Sequence, residues 1–202
     1  MTAGLRSPDP LVDALARSLA GHRPGDDREA RSLERILGEL DVLARPFDRH
    51  GDLTHVTASG VVVGPRGVVL HLHRRLRRWL QPGGHLDPGE SPPAGALRES
   101  TEETGLALRH PDEGPALIHV DVHGAADDHV HLDIRYLLVV AGDPDAEPAP
   151  PPGESQEVRW FRWDEADAVA DAALVGALRA ARRLAATGSP LAPGRTSEET
   201  DG

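Results

Sequence analysis

Residues Pro82–Leu106 read PGGHLDPGESPPAGALRESTEETGL, and this stretch governs how the rest of the chain is read. Ser91 offers an N-cap, Pro92 suits a first helical position, and Gly105 suits the left-handed position just past a helix end. The spacing predicts a helix over Ser91–Thr104. Inside it Glu99, Glu102 and Glu103 stand at i, i+3 and i+4, so the three carboxylates project from one side. Like charges so placed weaken an isolated helix by roughly 0.2–0.5 kcal/mol per pair. Taken alone, such glutamates fit a solvated acidic face. They also fit a site for a divalent cation such as Mg²⁺, a hard ion that takes carboxylate oxygens and keeps waters for a phosphate-bearing substrate. Glu90 before the helix and Arg98 within it are placed to pair, which fastens the preceding loop to the helix.

Working outward, short β-rich runs flank this helix on both sides. Strands are expected near Thr54–Val63, Val68–His73, Leu106–Arg109, Ala116–Val122, His129–Val140 and Gln156–Trp160, separated by Gly and Pro. The Pro- and acid-rich stretch Asp143–Glu154 reads as an exposed loop, and an Ala/Leu-rich helix is expected over Asp164–Ala186. Upstream, Leu11, Leu15 and Leu19 share one helical stripe. A second helix starts near Asp26 or Asp27, carries Leu33, Ile36, Leu37 and Leu40 on one face, and stops by Pro46. The fold class is therefore α+β, a mixed sheet between helices with an N-terminal helical extension. Residues 1–45 form the extension, 46–187 the main domain, and 188–202, poor in apolar residues, a disordered tail.

Composition narrows the functions open to such a fold. The chain has 202 residues, 39% of them hydrophobic but only 3% aromatic, so its core is built from Val, Leu, Ile and Ala. A formal net charge of −11 is the wrong sign for gripping long nucleic acid through its phosphates. It still permits a small anionic substrate, because a bound cation and a local basic patch reverse the potential inside a cleft. With no cysteine, disulfides, thiolate metal sites and cysteine nucleophiles are excluded. No stretch approaches a membrane span and the N-terminus lacks an apolar leader, so no membrane association and a cytoplasmic location are expected.

Gly84, Glu90, Arg98-Glu99, Glu102-Glu103, Gly105 and the apolar Leu106 fall at the spacing of the Nudix box, with each charged and glycine position filled. The chain resembles the Nudix hydrolase superfamily, and the surrounding strands extend the likeness from about Leu53 to Ala186. The resemblance implies a Nudix fold whose loop–helix–loop holds Mg²⁺, with Mn²⁺ as a substitute, against a diphosphate. It makes Glu99 and Glu103 the main metal ligands, joined by the backbone carbonyl of Gly83. Glu102 becomes a further ligand or the base that activates water. Arg98 and Glu90 keep their orienting roles. One position departs from the pattern: Ser100 replaces the usual aliphatic residue and is expected to bond back to the Ala96 carbonyl.

Substrate choice in this superfamily lies outside the box, and two segments are nominated for it. In HLHRRLRRWLQPGG, His71–Gly84, the basic residues Arg74, Arg75, Arg77 and Arg78 sit beside the metal site of an acidic protein. They form either a phosphate clamp, with Arg74, Arg75 and Arg78 as its candidates, or an ordinary exposed hairpin turn. Trp79 is assigned to the core rather than to base stacking. On the strand His129–Tyr136, alternation puts His129, His131, Asp133 and Arg135 on one face. That row either lines the cleft, where it could meet an anion, a base edge or an auxiliary metal, or is the solvated side of an amphipathic strand. His85, after the glycine pair, is a further substrate-facing candidate.

The expected activity is metal-dependent attack of water on a diphosphate of a small phosphorylated substrate, a nucleoside diphosphate derivative or a nucleoside triphosphate. A catalytically silent nucleotide sensor of the same fold is the alternative, though such proteins usually have eroded box glutamates. The isopentenyl diphosphate isomerase branch relies on a cysteine that is absent here. The apolar stripes of the N-terminal helices must pack somewhere, either back on the domain or in a homodimer.

Overall fold

The computed structural model describes residues 9–186. Elements run in the order α1 (Pro10–Ala20), α2 (Asp27–Val42), β1 (Thr54–Gly64), β2 (Gly67–His73), β3 (Arg78–Leu80), β4 (Gly83–His85) and α3 (Pro92–Thr104). They continue with β5 (Leu108–Arg109), β6 (Ala116–Gly124), β7 (Val130–Val140), β8 (Val158–Phe161), α4 (Trp163–Val169) and α5 (Ala172–Ala186). The strands join in one mixed sheet in the order β3-β2-β1-β7-β5, with β4 added on β1, β6 on β7 and β8 on β2. The central pair, β1 with β7, is parallel, and the other pairings are antiparallel. This is the mixed sheet between helices that the sequence led us to expect.

Each face of the sheet is covered by different helices. Val61, Val63, Leu137 and Val139 point to one side, where Ala166 of α4 and Leu174, Ala177 and Leu178 of α5 bury them. Val56, Ala58, Leu132 and Ile134 point to the other, against Ala96 of α3 and the stripes Val12–Leu15–Leu19 of α1 and Ile36–Leu40 of α2. The N-terminal helices thus fold back onto the sheet. They also close its edge. Strand β6 pairs only with β7, so alternate amides of β6 would face outward unpaired. Val120 N–H donates to the buried Glu29 carboxylate (3.1 Å) and Val122 N–H to Ser32 Oγ (3.2 Å), both on α2. Glu29 also accepts from the Gly25 amide and contacts His22 Nε2, while Arg28 donates to Asp121 at 2.8 Å.

Three details differ from the sequence reading. The three-residue strands β3 and β4 were not foreseen, because neither carries a period of its own and β4 exists only through its pairing with β1 at Thr57–Ser59. The C-terminal helix is two helices. Ala170 is extended (ψ 138), and the Asp171 carboxylate accepts from the Ala173 and Leu174 amides, starting α5 afresh. Ser100 does not bond to Ala96: its Oγ is buried without a hydrogen-bond partner among the described residues, pressed against the backbone at Gly60. The tail expected over 188–202 lies outside the described residues.

Candidate active site

The site is built where β4 and α3 meet the middle of β1. Helix α3 begins at Pro92, after a Ser91 N-cap that makes no side-chain bond, and ends at Gly105, whose φ of 68° is the left-handed stop. Its last turns carry the glutamates back over β4. The Gly83 amide donates to Glu103 Oε2 at 2.8 Å. This bond ties β4 to the end of α3. At Gly84 a Cβ would lie 2.7 Å from the Glu99 carboxyl carbon, so only glycine lets that carboxylate approach the strand.

Arg98 organises the loop. Its guanidinium forks onto Glu90 (Nε to Oε1 3.0 Å, Nη2 to Oε2 2.8 Å), donates to the His85 carbonyl at 2.9 Å, and reaches Glu99 Oε1 at 2.9 Å. The fork ties the Asp87–Glu90 turn, β4 and α3 into one unit. It also holds the Glu90 carboxyl below the usual carboxylate range. Glu102 is more than half exposed and meets Arg98 only at 3.4 Å.

Glu103 has a different environment. Burial pushes its pKa up to about 8, with the Glu99, Glu154 and Glu102 charges adding to the rise and the Gly83 bond opposing it. Glu99 is also raised, mainly by burial. His71 stands 3.8 Å from Glu103, but burial lowers its pKa to about 4, so it offers no counter-charge at neutral pH. Among the described residues, then, Glu103 is a half-buried carboxyl with a backbone donor and no cationic side chain on it. A hard divalent ion held by Glu99 and Glu103, with Glu102 as a further ligand, would remove that deficit, and an all-oxygen donor set is the kind Mg²⁺ takes.

Beside these carboxylates opens a cleft of about 820 Å³. Of the residues nominated from sequence, Glu99, Glu103 and Gly83 reach it, together with Arg75, His85, His131 and Asp133. Arg74, Arg78, His129 and Arg135 do not line it. Arg74 instead donates to the Glu154 carbonyl, and Arg78 is an exposed residue of β3. His129 sits behind, edge-on to the His55 ring. Arg135 is 2% exposed and fully engaged: its Nε donates to Asp133 at 2.8 Å and its Nη1 to the Ala173 carbonyl at 2.9 Å. The row on β7 is therefore neither wholly cleft-lining nor solvated, and its inner member is a buried structural cation. Asp133 takes bonds from Ser59 (2.8 Å), Thr57 (3.2 Å) and Arg135. Burial alone would raise its pKa, but the Arg135 charge and these donors hold it below the usual range.

Several residues in and beneath the cleft were not nominated from sequence. The fully buried His55 on β1 pairs across to His131 on β7, and His123 on β6 pairs with the same His131. His71, His123, Thr57, Ser59 and Gln81 line the cleft. A signal for part of this was present: His55, Thr57 and Ser59 alternate with apolar residues inside a strand otherwise made of valines.

Comparisons with known proteins agree with this geometry. A family model described as the NUDIX domain matches residues 53–182, more than half of the chain. A Mycobacterium tuberculosis protein named "Putative 8-oxo-dGTP diphosphatase 3" is 34% identical over 102 residues, 48% of this chain and 45% of that relative. An RNA pyrophosphohydrolase of Erythrobacter litoralis is 38% identical over 63 residues, 29% of this chain and 38% of the relative. The chain thus matches less than half the length of these curated relatives. Among solved structures, a NUDIX-family hydrolase from Clostridium perfringens aligns with a TM-score of 0.53 and 27% identity over 64% of this chain and 97% of its own. A C. elegans Ap4A hydrolase aligns at 0.54 with 21% identity over 65% and 98%, a likeness of fold. The matched segment runs from the start of β1 into α5 and contains both the box helix and the sheet that positions it, so the chain belongs to the Nudix family.

Proposed function

We propose that this chain is a Mg²⁺-dependent hydrolase, with Mn²⁺ as a substitute ion, that cleaves the diphosphate linkage of a small nucleotide. The substrate is a nucleoside diphosphate carrying a second moiety, or a nucleoside triphosphate. The observation that carries this reading is the pair Glu99 and Glu103, brought by α3 onto Gly83 and Gly84 at the cleft with no cationic side chain on Glu103. The relatives' names, a diphosphatase and a pyrophosphohydrolase, support the same bond class.

Glu99 and Glu103 would hold the ion from α3. When bound, it neutralises charge growing on the phosphoryl oxygens and acidifies the attacking water. Arg98 contributes by position: its fork on Glu90 and its bond to the His85 carbonyl keep β4 and the helix in register with the reacting phosphorus. Glu102, on the exposed flank, either receives the proton from water or completes the ligand set. Arg75 meets the anionic end of the substrate at the cleft mouth, and His85, His131 and Asp133 present hydrogen-bonding groups deeper in.

The deciding experiment is phosphate or nucleotide release from a panel of nucleotide substrates with Mg²⁺ and with Mn²⁺, repeated with Glu102→Gln and Glu103→Gln. Turnover that needs the ion and collapses in the variants supports the reading. An inert wild type, or variants as active as wild type, sinks it. Tight nucleotide binding without metal-dependent turnover would favour a silent sensor instead.

A further inference from the structure

At the cleft, where His85 and His131 offer hydrogen-bonding groups to substrate in the hydrolytic reading, a third histidine, the buried His55, completes a group that could also hold a metal. His55 on β1 and His131 on β7 are register partners, and His85 on β4 pairs with Thr57, two residues along β1 on the same face. Three adjacent strands thus bring three imidazoles together. Their ring centroids are 5.1 Å apart for His55–His85, 5.1 Å for His55–His131 and 5.2 Å for His85–His131. One nitrogen from each lies within 4.8 Å of the other two.

The tautomer of His55 can be argued from its contacts. Its Nδ1 lies 3.2 Å from the Asp52 carbonyl, which can only accept, so Nδ1 carries the proton. Nε2 then holds a lone pair. That atom is buried in a fully buried residue and has no hydrogen-bond partner among the described residues. An imidazole oriented by a backbone carbonyl, with its other nitrogen bare and two more imidazoles beside it, is how proteins present histidine to a metal. Packing of neutral rings alone would leave that lone pair unsatisfied.

We propose that His55, His85 and His131 form a second metal site, for a borderline transition ion such as Zn²⁺, separate from the carboxylates of α3. The donor set selects the ion: three imidazoles suit Zn²⁺, Ni²⁺ or Cu²⁺, whereas Mg²⁺ takes oxygens. A tetrahedral ion at about 2.0–2.1 Å from each nitrogen sets them about 3.3 Å apart, a closure that small rotations of the two partly exposed rings, His85 and His131, supply. His55 stays fixed by its carbonyl bond. With three protein ligands, the fourth position points into the cleft and takes water or a donor atom of whatever occupies it. His123 stands next to His131, but its Nδ1 is engaged by Asp121 at 3.0 Å and it lies outside the group of three. The proposal holds whether or not the chain hydrolyses a diphosphate.

The test is metal binding itself. Chelator-treated full-length protein, kept in excess Mg²⁺ to fill oxygen sites, is titrated with Zn²⁺ against a chromophoric competitor. One equivalent is expected. His131→Gln and His85→Gln should each weaken it by at least about tenfold, and Glu103→Gln should leave it unchanged. His55→Gln joins the set if its circular dichroism matches wild type. X-ray absorption of the Zn²⁺-loaded wild type, which needs no variant, should count three imidazoles. The site is overturned if wild type takes up no Zn²⁺ in excess Mg²⁺. It is equally overturned if the His85 and His131 variants bind as tightly as wild type, if Glu103→Gln abolishes binding, or if the spectrum shows oxygen ligands alone.

Discussion

Two halves of one sheet face follow opposite rules. Along β1 and β7 the residues His55, Thr57 and Ser59 lie beside His131, Asp133 and Arg135, and all point to the same side as Val61, Val63, Leu137 and Val139 further along. The first half is polar and buried, wired through Asp133; the second is apolar and sealed by α4 and α5. Strand, register and neighbour are shared, so backbone geometry does not account for the difference. Side-chain chemistry does. One half contributes stability by removing carbon from water. The other holds charged groups in fixed positions, at a cost in desolvation.

The largest expected effect lies on α3, whose Glu103 shares the cleft with the polar half. Glu103→Gln should lower kcat/KM on any substrate the wild type turns over by about 10³-fold, because a ligand and its charge are removed. Its thermal midpoint should hold or rise, since a carboxyl buried against its preference becomes a neutral amide. A midpoint that falls along with activity would show that Glu103 is structural. Next comes the network beneath the cleft. Asp133→Ala should cost about 3–5 kcal/mol in denaturant unfolding, because Arg135 would be left charged and buried. Leu137→Ala, on the apolar half, should cost about 3 kcal/mol through its cavity while the folded protein keeps its wild-type kcat/KM. Equal effects of the two variants on kcat/KM would erase the distinction.

Acid should act first on the buried histidines around the sheet. Burial lowers His71, His85, His119 and His131 to about 4 in the folded protein. The unfolded chain, with histidines near 6.5, takes up protons earlier, so their contribution is lost as pH falls from about 6.5 toward 4. Glu103, raised to about 8, works the other way: its contribution is present at low pH and lost as pH climbs through about 8. Four groups outweigh one below pH 6.5. Chelator-treated protein should therefore lose unfolding free energy steadily between about pH 7 and pH 5, where histidine titration dominates. A flat profile would mean these rings are not buried as described. The smallest effect is Ser100→Ala, expected to be neutral or to stabilise by about 1 kcal/mol, because it deletes a buried hydroxyl without a partner. A loss of that size would reveal a bond to Ser100 that the structure lacks.

What could be read from the sequence was local. The box helix announced itself through Pro92, the glutamate spacing and Gly105, all within one stretch, and the amphipathic stripes of α1 and α2 were equally self-contained. Strand β4 could not be read, because its three residues become a strand only opposite Thr57–Ser59, more than twenty positions earlier. The face of β7 was read correctly as polar. Its fate was not legible, since whether Arg135 meets substrate or Ala173 depends on where α5 lands. The break at Ala170 was legible and overlooked: Asp171 is a good N-cap in the middle of an alanine-rich run.

The way α2 closes the sheet has a consequence for where this protein can be cut. The family model begins at residue 53, yet Glu29 and Ser32 lie upstream of it and take up the outward amides of β6. A chain shortened to the matched segment would expose a strand edge ready to recruit a second β6 from a neighbouring molecule. Ancestry and solubility therefore draw different borders here, and only the second includes the first two helices.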